Sequence, residues 1–467
     1  MGGASPPEHP AAPAADRDEA VDPATARALG GWLRRTQVDY RQPSLAAAIA
    51  RDGRLVWADA VGSSDGRGVT PASPDTAYRI ASVTKTFVAV AVLQLVDAGQ
   101  VDLDDPVGRH VPDAPVGDAT VSQLLSHTSG LQAETDGDWW ERSPGYPWEA
   151  LVGMGAQRRF RPGRKYHYSN LGYAVLGRLL ETRTGLPWDV GIERTVLAPL
   201  GLRRTRRLAP ADAATGWGVH PHAALLHHEP VADYLAMGPA GQLWSTARDL
   251  AVWGSFLGGR VPGPLSGELL GQMREPWAVN DQPGLPWVGA HGLGLQLWNV
   301  EGARHAGHTG SVPGFTCEVR ADLGTGDVVV TLGSATTGFL GGLGLLQLFQ
   351  DRLPALPDPW TADPSQAATL DLLGTWYWGT TAYQICADVD GGLVATVPAI
   401  ARSGALRPDG PDRWIGLSGY FDGEPLVVGR DPAGRAAWLD IASFRLTRTP
   451  YAADGNVPGG VDERGWH

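Results

Sequence analysis

Arg79-Ile80-Ala81-Ser82-Val83-Thr84-Lys85-Thr86-Phe87 is the stretch on which the reading of this chain turns. A serine and a lysine stand three residues apart, and a mostly apolar run, residues 88–96, follows directly and stops at Gly99. That pattern predicts one buried helix with Ser82 in its first turn. Positions i and i+3 share a helix face, so the Lys85 ammonium can reach the Ser82 hydroxyl. A serine hydroxyl is a weak nucleophile until a neighbouring base takes its proton. A lysine held among apolar side chains loses charge stabilisation, which lowers its pKa toward a working range. The chain has only two lysines, Lys85 and Lys165, and arginine supplies every other basic residue. Arginine is effectively never deprotonated. In a chain that avoids lysine this strongly, Lys85 reads as a residue kept for chemistry.

Working outward, the 467 residues allow two or three domains. A formal net charge of −12 argues against nucleic acid as a partner. The two cysteines, Cys317 and Cys386, read as buried free thiols in separate domains, not as a disulfide framework. Residues 1–22 are rich in Pro, Ala, Asp and Glu and contain no basic segment followed by an apolar one, so no signal peptide is expected. No apolar run is long enough to span a bilayer. The expected location is the cytoplasm, with no membrane partner.

Residues 1–26 are expected to be disordered, with a helix following over 27–35. Two strand patterns, 44–50 and 55–61, flank Asp52-Gly53, a hairpin signature. Helix and strand signals continue to a closing helix over 340–350. A proline-rich linker, 353–368, then precedes short β-type runs over 369–452 that read as a small antiparallel barrel or meander. Residues 453–467 remain as a tail. The catalytic domain is therefore bounded at 27–352.

Several further motifs are candidates for a site. In Tyr168-Ser169-Asn170, at a loop-to-helix junction, a phenol can exchange a proton with the serine or leaving group, and an amide can orient substrate or lysine. In His308-Thr309-Gly310-Ser311, a glycine-containing strand edge lets a substrate backbone approach, and its N–H groups can donate to an extended peptide or an oxyanion. Trp244 follows Pro239-Ala240-Gly241, where a large ring can wall a pocket or fill core. The Ser126-His127 pair invites a triad, but adjacent residues rarely face each other, so His127 reads as part of a structural loop shaping the cleft. Trp139, Trp140, Tyr146 and Trp148 form either an aromatic lid or a pinned surface loop. The histidines at 220, 222, 227 and 228 are interrupted by Pro221 and followed by Pro230, which argues against a metal site. The arginine runs at 158–161 and 203–207 read as solvated loop charge, with docking of an acidic partner protein as the alternative.

Taken together and in order, Ser82-Val83-Thr84-Lys85, Tyr168-Ser169-Asn170 and His308-Thr309-Gly310 resemble the three motifs of the serine β-lactamase and penicillin-binding-protein superfamily. The stretches 124–131 and 239–241 are similar to its class C and D-alanyl-D-alanine carboxypeptidase branch. The resemblance covers roughly residues 30–352. It implies an α/β fold, an antiparallel sheet flanked by helices with a helical subdomain, and a site between the two. It implies acylation of Ser82, proton movement by Lys85 and Tyr168, and an oxyanion hole from the backbone N–H groups of Ser82 and Ser311, with no metal or organic cofactor. His308, counted with the catalytic set, departs from the lysine that many β-lactamases carry there. A mostly neutral imidazole argues against a penicillinase and suits esterase, amidase or thioesterase chemistry.

A narrower resemblance is to the penicillin-binding-protein-type thioesterases, stand-alone enzymes that release and cyclise nonribosomal peptides. It rests on the missing secretion signal, on Gly374-Thr375-Trp376 opening a lipocalin-like domain, on Trp244, and on Arg448 near that domain's end. It implies a peptidyl thioester substrate ending in a D-residue and presented by a peptidyl carrier protein. It also implies transfer to Ser82, head-to-tail cyclisation, and substrate contacts from Asn170, Trp244, Thr309, Gly310, Ser311 and Arg448. The alternative within the same fold is a D-stereospecific peptidase, amidase or carboxylesterase.

Overall fold

A computed structural model describes residues 21–338, 341–355 and 362–450, with the backbone of 461–462 and 465–466. The chain divides into two units, Met1–Ala355 and Leu356–His467, and the division falls inside the proline-rich segment. The expected disorder of 1–20 lies outside the described residues. Residues 23–26 correct it at its end: the first helix spans Pro23–Asp39, because the Asp22 side chain accepts from the N–H groups of Ala24 and Thr25 and Pro23 occupies the first helical position.

The first unit is built on an eight-stranded antiparallel sheet. Its spatial order is Arg54–Gly62, Ser44–Arg51, Val328–Gly333, Phe315–Asp322, Ala303–Val312, Gln296–Val300, Gly289–His291 and Ala278–Val279. The hairpin at Asp52-Gly53 forms as its sequence predicts, with both residues at positive φ (50° and 79°), the twist a two-residue turn needs. Strand Ser44–Arg51 then pairs with Val328–Gly333, from Leu45 opposite Gly333 to Ala50 opposite Val328. Both faces of this strand are covered. Leu45, Ala47 and Ile49 pack with Leu29, Leu33, Leu345 and Phe349 of helices Pro23–Asp39 and Gly342–Arg352. Ala46, Ala48 and Ala50 join the larger core on the other face, which holds helices Thr84–Asp97, Asn170–Thr184 and Ala247–Leu257. The two-residue period of a strand sorts its side chains between these layers.

The second unit settles the choice between barrel and meander. Eight strands, from Gly374–Trp378 to Phe444–Thr447, close on themselves through Tyr377 opposite Thr447. Trp376, Ile385, Leu393, Leu426, Leu439 and Leu446 fill the interior. Strands Thr381–Ala387, Arg402–Pro408 and Arg413–Gly416 were not singled out in the sequence, where Thr381 and Gln384 dilute the first and arginines and glycines interrupt the other two. Cys386 is exposed on the first of these, correcting the expected burial, while Cys317 is buried. Among the described residues no helix is long and apolar enough to cross a membrane.

Candidate active site

The segment that opened the sequence reading is a 3-10 turn, Ala81–Val83, running into helix Thr84–Asp97. Ser82 thus sits on the turn just before the α-helix, and the residue ahead of it, Ala81, has φ 50°. A non-glycine residue in the left-handed region is a strained conformation that surrounding packing must hold. The packing comes from strand Ala303–Val312: a Cβ on Gly310 would lie 2.3 Å from the Ile80 carbonyl oxygen, so only glycine lets the strand close on this turn.

Lys85 is fully buried. Its Nζ donates to the Ala240 carbonyl at 2.6 Å and lies 3.0 Å from Ser82 Oγ. Burial pulls its pKa from 10.5 down to about 7, against the opposing pull of Glu134 and Glu141. A neutral amine can keep one hydrogen on Ala240 and turn its lone pair to the serine. The carbonyl is positioned by the turn Gly238–Ala240, which presses on helix Asn170–Thr184 so closely that a Cβ on Gly177 would meet Pro239 Cγ at 2.1 Å.

The Tyr168 hydroxyl faces Ser82, and Lys85 Nζ lies 4.9 Å from the centre of its ring. Burial raises the phenol's pKa well above its usual value, so it stays protonated and is able to donate or relay a proton. His127 holds it there. The His127 carbonyl accepts from the His167 N–H at 2.8 Å, its Nδ1 accepts from the Ser169 N–H at 3.0 Å, and its ring lies 4.3 Å from that of Tyr168. His127 therefore brackets Tyr168 from both sides along the chain and acts through it. Its own φ of 57° suits the turn that ends helix Val121–Leu125.

Asn170 opens helix Asn170–Thr184, capped by Ser169. Its Nδ2 donates to Glu134 Oε1 at 2.6 Å, and its buried Oδ1 has no partner. Glu134 also accepts from Trp140 Nε1 at 2.8 Å, and Glu141 accepts from Trp139 Nε1 at 2.9 Å, with burial raising the Glu141 pKa. These two carboxylates were missed in the sequence. Nothing in a Gly- and Pro-rich loop signals which acids bond to Asn170 and the tryptophans, and only the paired tryptophans gave a hint. Trp140 and Trp148 are buried pins, whereas Trp139 is exposed.

His308 is buried, with Nδ1 2.5 Å from the Thr309 carbonyl oxygen. A carbonyl can only accept, so Nδ1 carries the proton and Nε2, which has no partner, presents a lone pair. Burial, then Lys85, hold its pKa down to about 3, so it is neutral. His291, another buried imidazole, stands between His127 and His308 at ring distances of 4.6 and 5.8 Å and was not expected from sequence. Thr309 N–H and Oγ both donate to Gln296 Oε1 at 2.9 Å. Ser311 is opposite Thr316, next to the closing Val312–Phe315 pair, so its N–H points away from strand Phe315–Asp322. Strand Gln296–Val300 ends its pairing at Gly307, which leaves that N–H at an open edge.

The structure thus brings Ser82, Lys85, Tyr168, Asn170, His308, Thr309, Gly310 and Ser311 to one place. Trp244 is a correction. It is 1% exposed and edge-on to Phe315 at 5.1 Å, because the short strand Trp244–Ser245 pairs with Tyr78–Arg79 and turns the ring into the core. Arg448 belongs to the second unit, where its guanidinium donates to the carbonyls of Leu373 and Asp371 and lies 3.8 Å from the Trp376 ring centre. Within the arginine runs, Arg158 pairs with Asp118, Arg204 with Asp212, and Arg207 with Asp189 and Asp233. Among the described residues no group of three or more His, Cys, Asp or Glu is arranged to hold a metal.

Comparisons with known proteins agree with this geometry. The Beta-lactamase family profile matches residues 18–343, and that of a domain of unknown function, DUF7586, matches 365–448. Penicillin-binding protein 4 of Amycolatopsis lactamdurans is 28% identical over 73% of this chain and 94% of its own. The crystal structure of SurE superposes with a TM-score of 0.58 at 26% identity, covering 91% of this chain and 99% of that one. A D-stereospecific amidohydrolase from Streptomyces sp. superposes with a TM-score of 0.59 at 26% identity, covering 71% and 99%. With its serine, lysine and tyrosine assembled on this fold, the chain belongs to the β-lactamase and penicillin-binding-protein superfamily, as a class C β-lactamase-like serine hydrolase followed by a closed eight-stranded barrel.

Proposed function

We propose that the protein is a stand-alone cytoplasmic thioesterase that takes a nonribosomal peptidyl group from a carrier-bound thioester onto Ser82 and releases it by head-to-tail macrocyclisation, with preference for a C-terminal D-residue. The observation that carries this reading is a buried lysine of pKa about 7 beside the serine, with a neutral His308 where a carboxylate-binding cation would favour β-lactams. The likeness to SurE across 91% of this chain supports it, since it reaches beyond the catalytic domain.

In the first step Ser82 Oγ attacks the thioester carbonyl while Lys85 Nζ takes the hydroxyl proton. The backbone N–H groups of Ser82 and Ser311 receive the oxyanion. The C–S bond breaks and Lys85 returns the proton to the departing sulfur. In the second step the peptide's own N-terminal amine attacks the ester. Lys85 takes a proton from that amine, and the proton passes to Ser82 Oγ, directly or over the Tyr168 hydroxyl, as the C–O bond breaks. Well-oriented intramolecular attack reaches effective molarities of ~10⁵ M or more, enough to compete with water.

The test offers N-acetylcysteamine thioesters of peptides ending in a D-residue. Cyclic product, lost when the N-terminus is acetylated, is expected. Absence of both cyclic and linear product across a panel would overturn the reading. A second reading, D-stereospecific amidase, peptidase or esterase, is favoured by the likeness to the D-stereospecific amidohydrolase over 71% of this chain. It predicts linear acids only.

A further inference from the structure

The free edge of the large sheet carries a second cavity, of about 240 Å³, that the chemistry above does not use. Trp287, Val288 and Leu297 contribute apolar wall, and Arg274, Arg304 and His305 contribute nitrogen. Among the described residues no carboxylate lines it, although Asp322 stands opposite His305 on the neighbouring strand. His305 stands four residues before Thr309 on strand Ala303–Val312, roughly 13 Å along the strand at ~3.3 Å per residue, so the cavity is separate from the serine.

Three observations converge there. Arg274 is half-buried, its Nε has no hydrogen-bond partner, and it has no ion pair among the described residues. Burial pulls its pKa down, and the one charged group that perturbs it further is another cation, Arg260. A partly desolvated guanidinium with no counter-charge among the described residues is an arrangement that a bound anion stabilises. His305 is 3% exposed, and its Nδ1 has no partner. Trp277, Val279, Leu285, Trp287 and Val288 are all exposed, so an apolar surface leads to the cavity. Exposed apolar residues gathered in this way mark an interaction site more often than singly scattered ones do.

We propose that this cavity binds a small amphiphilic anion, an acyl or aryl group carrying a carboxylate, with the anionic end on Arg274 and the apolar body against Trp287 and Leu297. The cavity is many times the ~10–15 Å³ that one water needs by the same measure, which leaves room for a medium-chain acid. The test is calorimetry on the full chain with octanoate, octanol and octylammonium. Octanoate is expected to bind at least tenfold more tightly than either analogue. Arg274→Gln is expected to weaken it about tenfold. Arg304→Gln, on an exposed side chain whose loss leaves the fold intact, is expected to weaken it about threefold. No octanoate binding at millimolar concentration, equal binding of octanol, or wild-type affinity in both variants would overturn the proposal.

Discussion

The two β structures of this chain have the same strand number and the same antiparallel pairing, yet they bury different things. The barrel encloses Trp376, Ile385, Leu393 and Leu439, and its buried polar residues among those described are Thr369 and Thr447. The open sheet and its helices bury Lys85, His127, His291 and His308 within one neighbourhood. A small closed barrel is filled by its own side chains and has no room for an unpaired polar atom. In the catalytic domain a strand end, a helix start and two turns converge, so backbone carbonyls and N–H groups are available to hold polar side chains away from water. The comparison teaches that the open sheet, where elements converge, can gather several desolvated nitrogens in one neighbourhood, Lys85, His127, His291 and His308, while the closed barrel gathers apolar side chains.

The hardest blow to that contrast is Lys85→Arg. It keeps the charge but removes the base, since guanidinium does not lose its proton, and a fall in kcat/KM of about 10³-fold or more is expected for loss of the activating group. Wild-type turnover in this variant would end the assignment of Lys85. His127→Phe keeps a ring against Tyr168 but strands the buried Ser169 N–H, at about 1–3 kcal/mol. A fall of roughly ten- to a hundredfold in kcat with little change in KM would mark His127 as a positioning residue, and an unchanged kcat would make it merely structural. Within the barrel, Leu439→Ala should cost about 2–5 kcal/mol. Calorimetry should show that loss in the second unit's transition, while fluorophosphonate labelling of Ser82 at 25 °C continues. The mildest effect is with pH. Lys85 must be neutral to act, and its pKa is lowered to about 7. Therefore kcat/KM should climb up to tenfold per pH unit below about 7 and level off above it. A profile flat from pH 5.5 to 8.5 would separate the rate from Lys85.

What was legible in the sequence was legible for local reasons. A helical turn brings positions i and i+3 to one side, so Ser82 and Lys85 had to face each other, although Ser82 sits on a 3-10 turn ahead of the α-helix and not in its first turn. Asp52-Gly53 had to turn because both residues accept positive φ. Tyr168 and His308 could be nominated only as a set with Ser82, because each motif alone is short. The residues that escaped notice, Glu134, Glu141 and His291, act through space and not through spacing. Trp244 shows the opposite error: its place after Pro239-Ala240-Gly241 suggested a pocket wall, and pairing with Tyr78–Arg79 turned it inward.

The sequence by itself nominated Ser82 and Lys85 as nucleophile and base and determined the superfamily and the two-part organisation, because periodicity, turn chemistry and motif order are properties of neighbouring residues. Only the tertiary structure decided that Lys85 loses its charge near neutral pH, that His127 clamps Tyr168, that the C-terminal strands close into a barrel, and that Arg274 has no ion pair among the described residues. Each of these depends on desolvation or on contacts between residues far apart in the chain, and burial is a quantity that no single stretch of sequence contains.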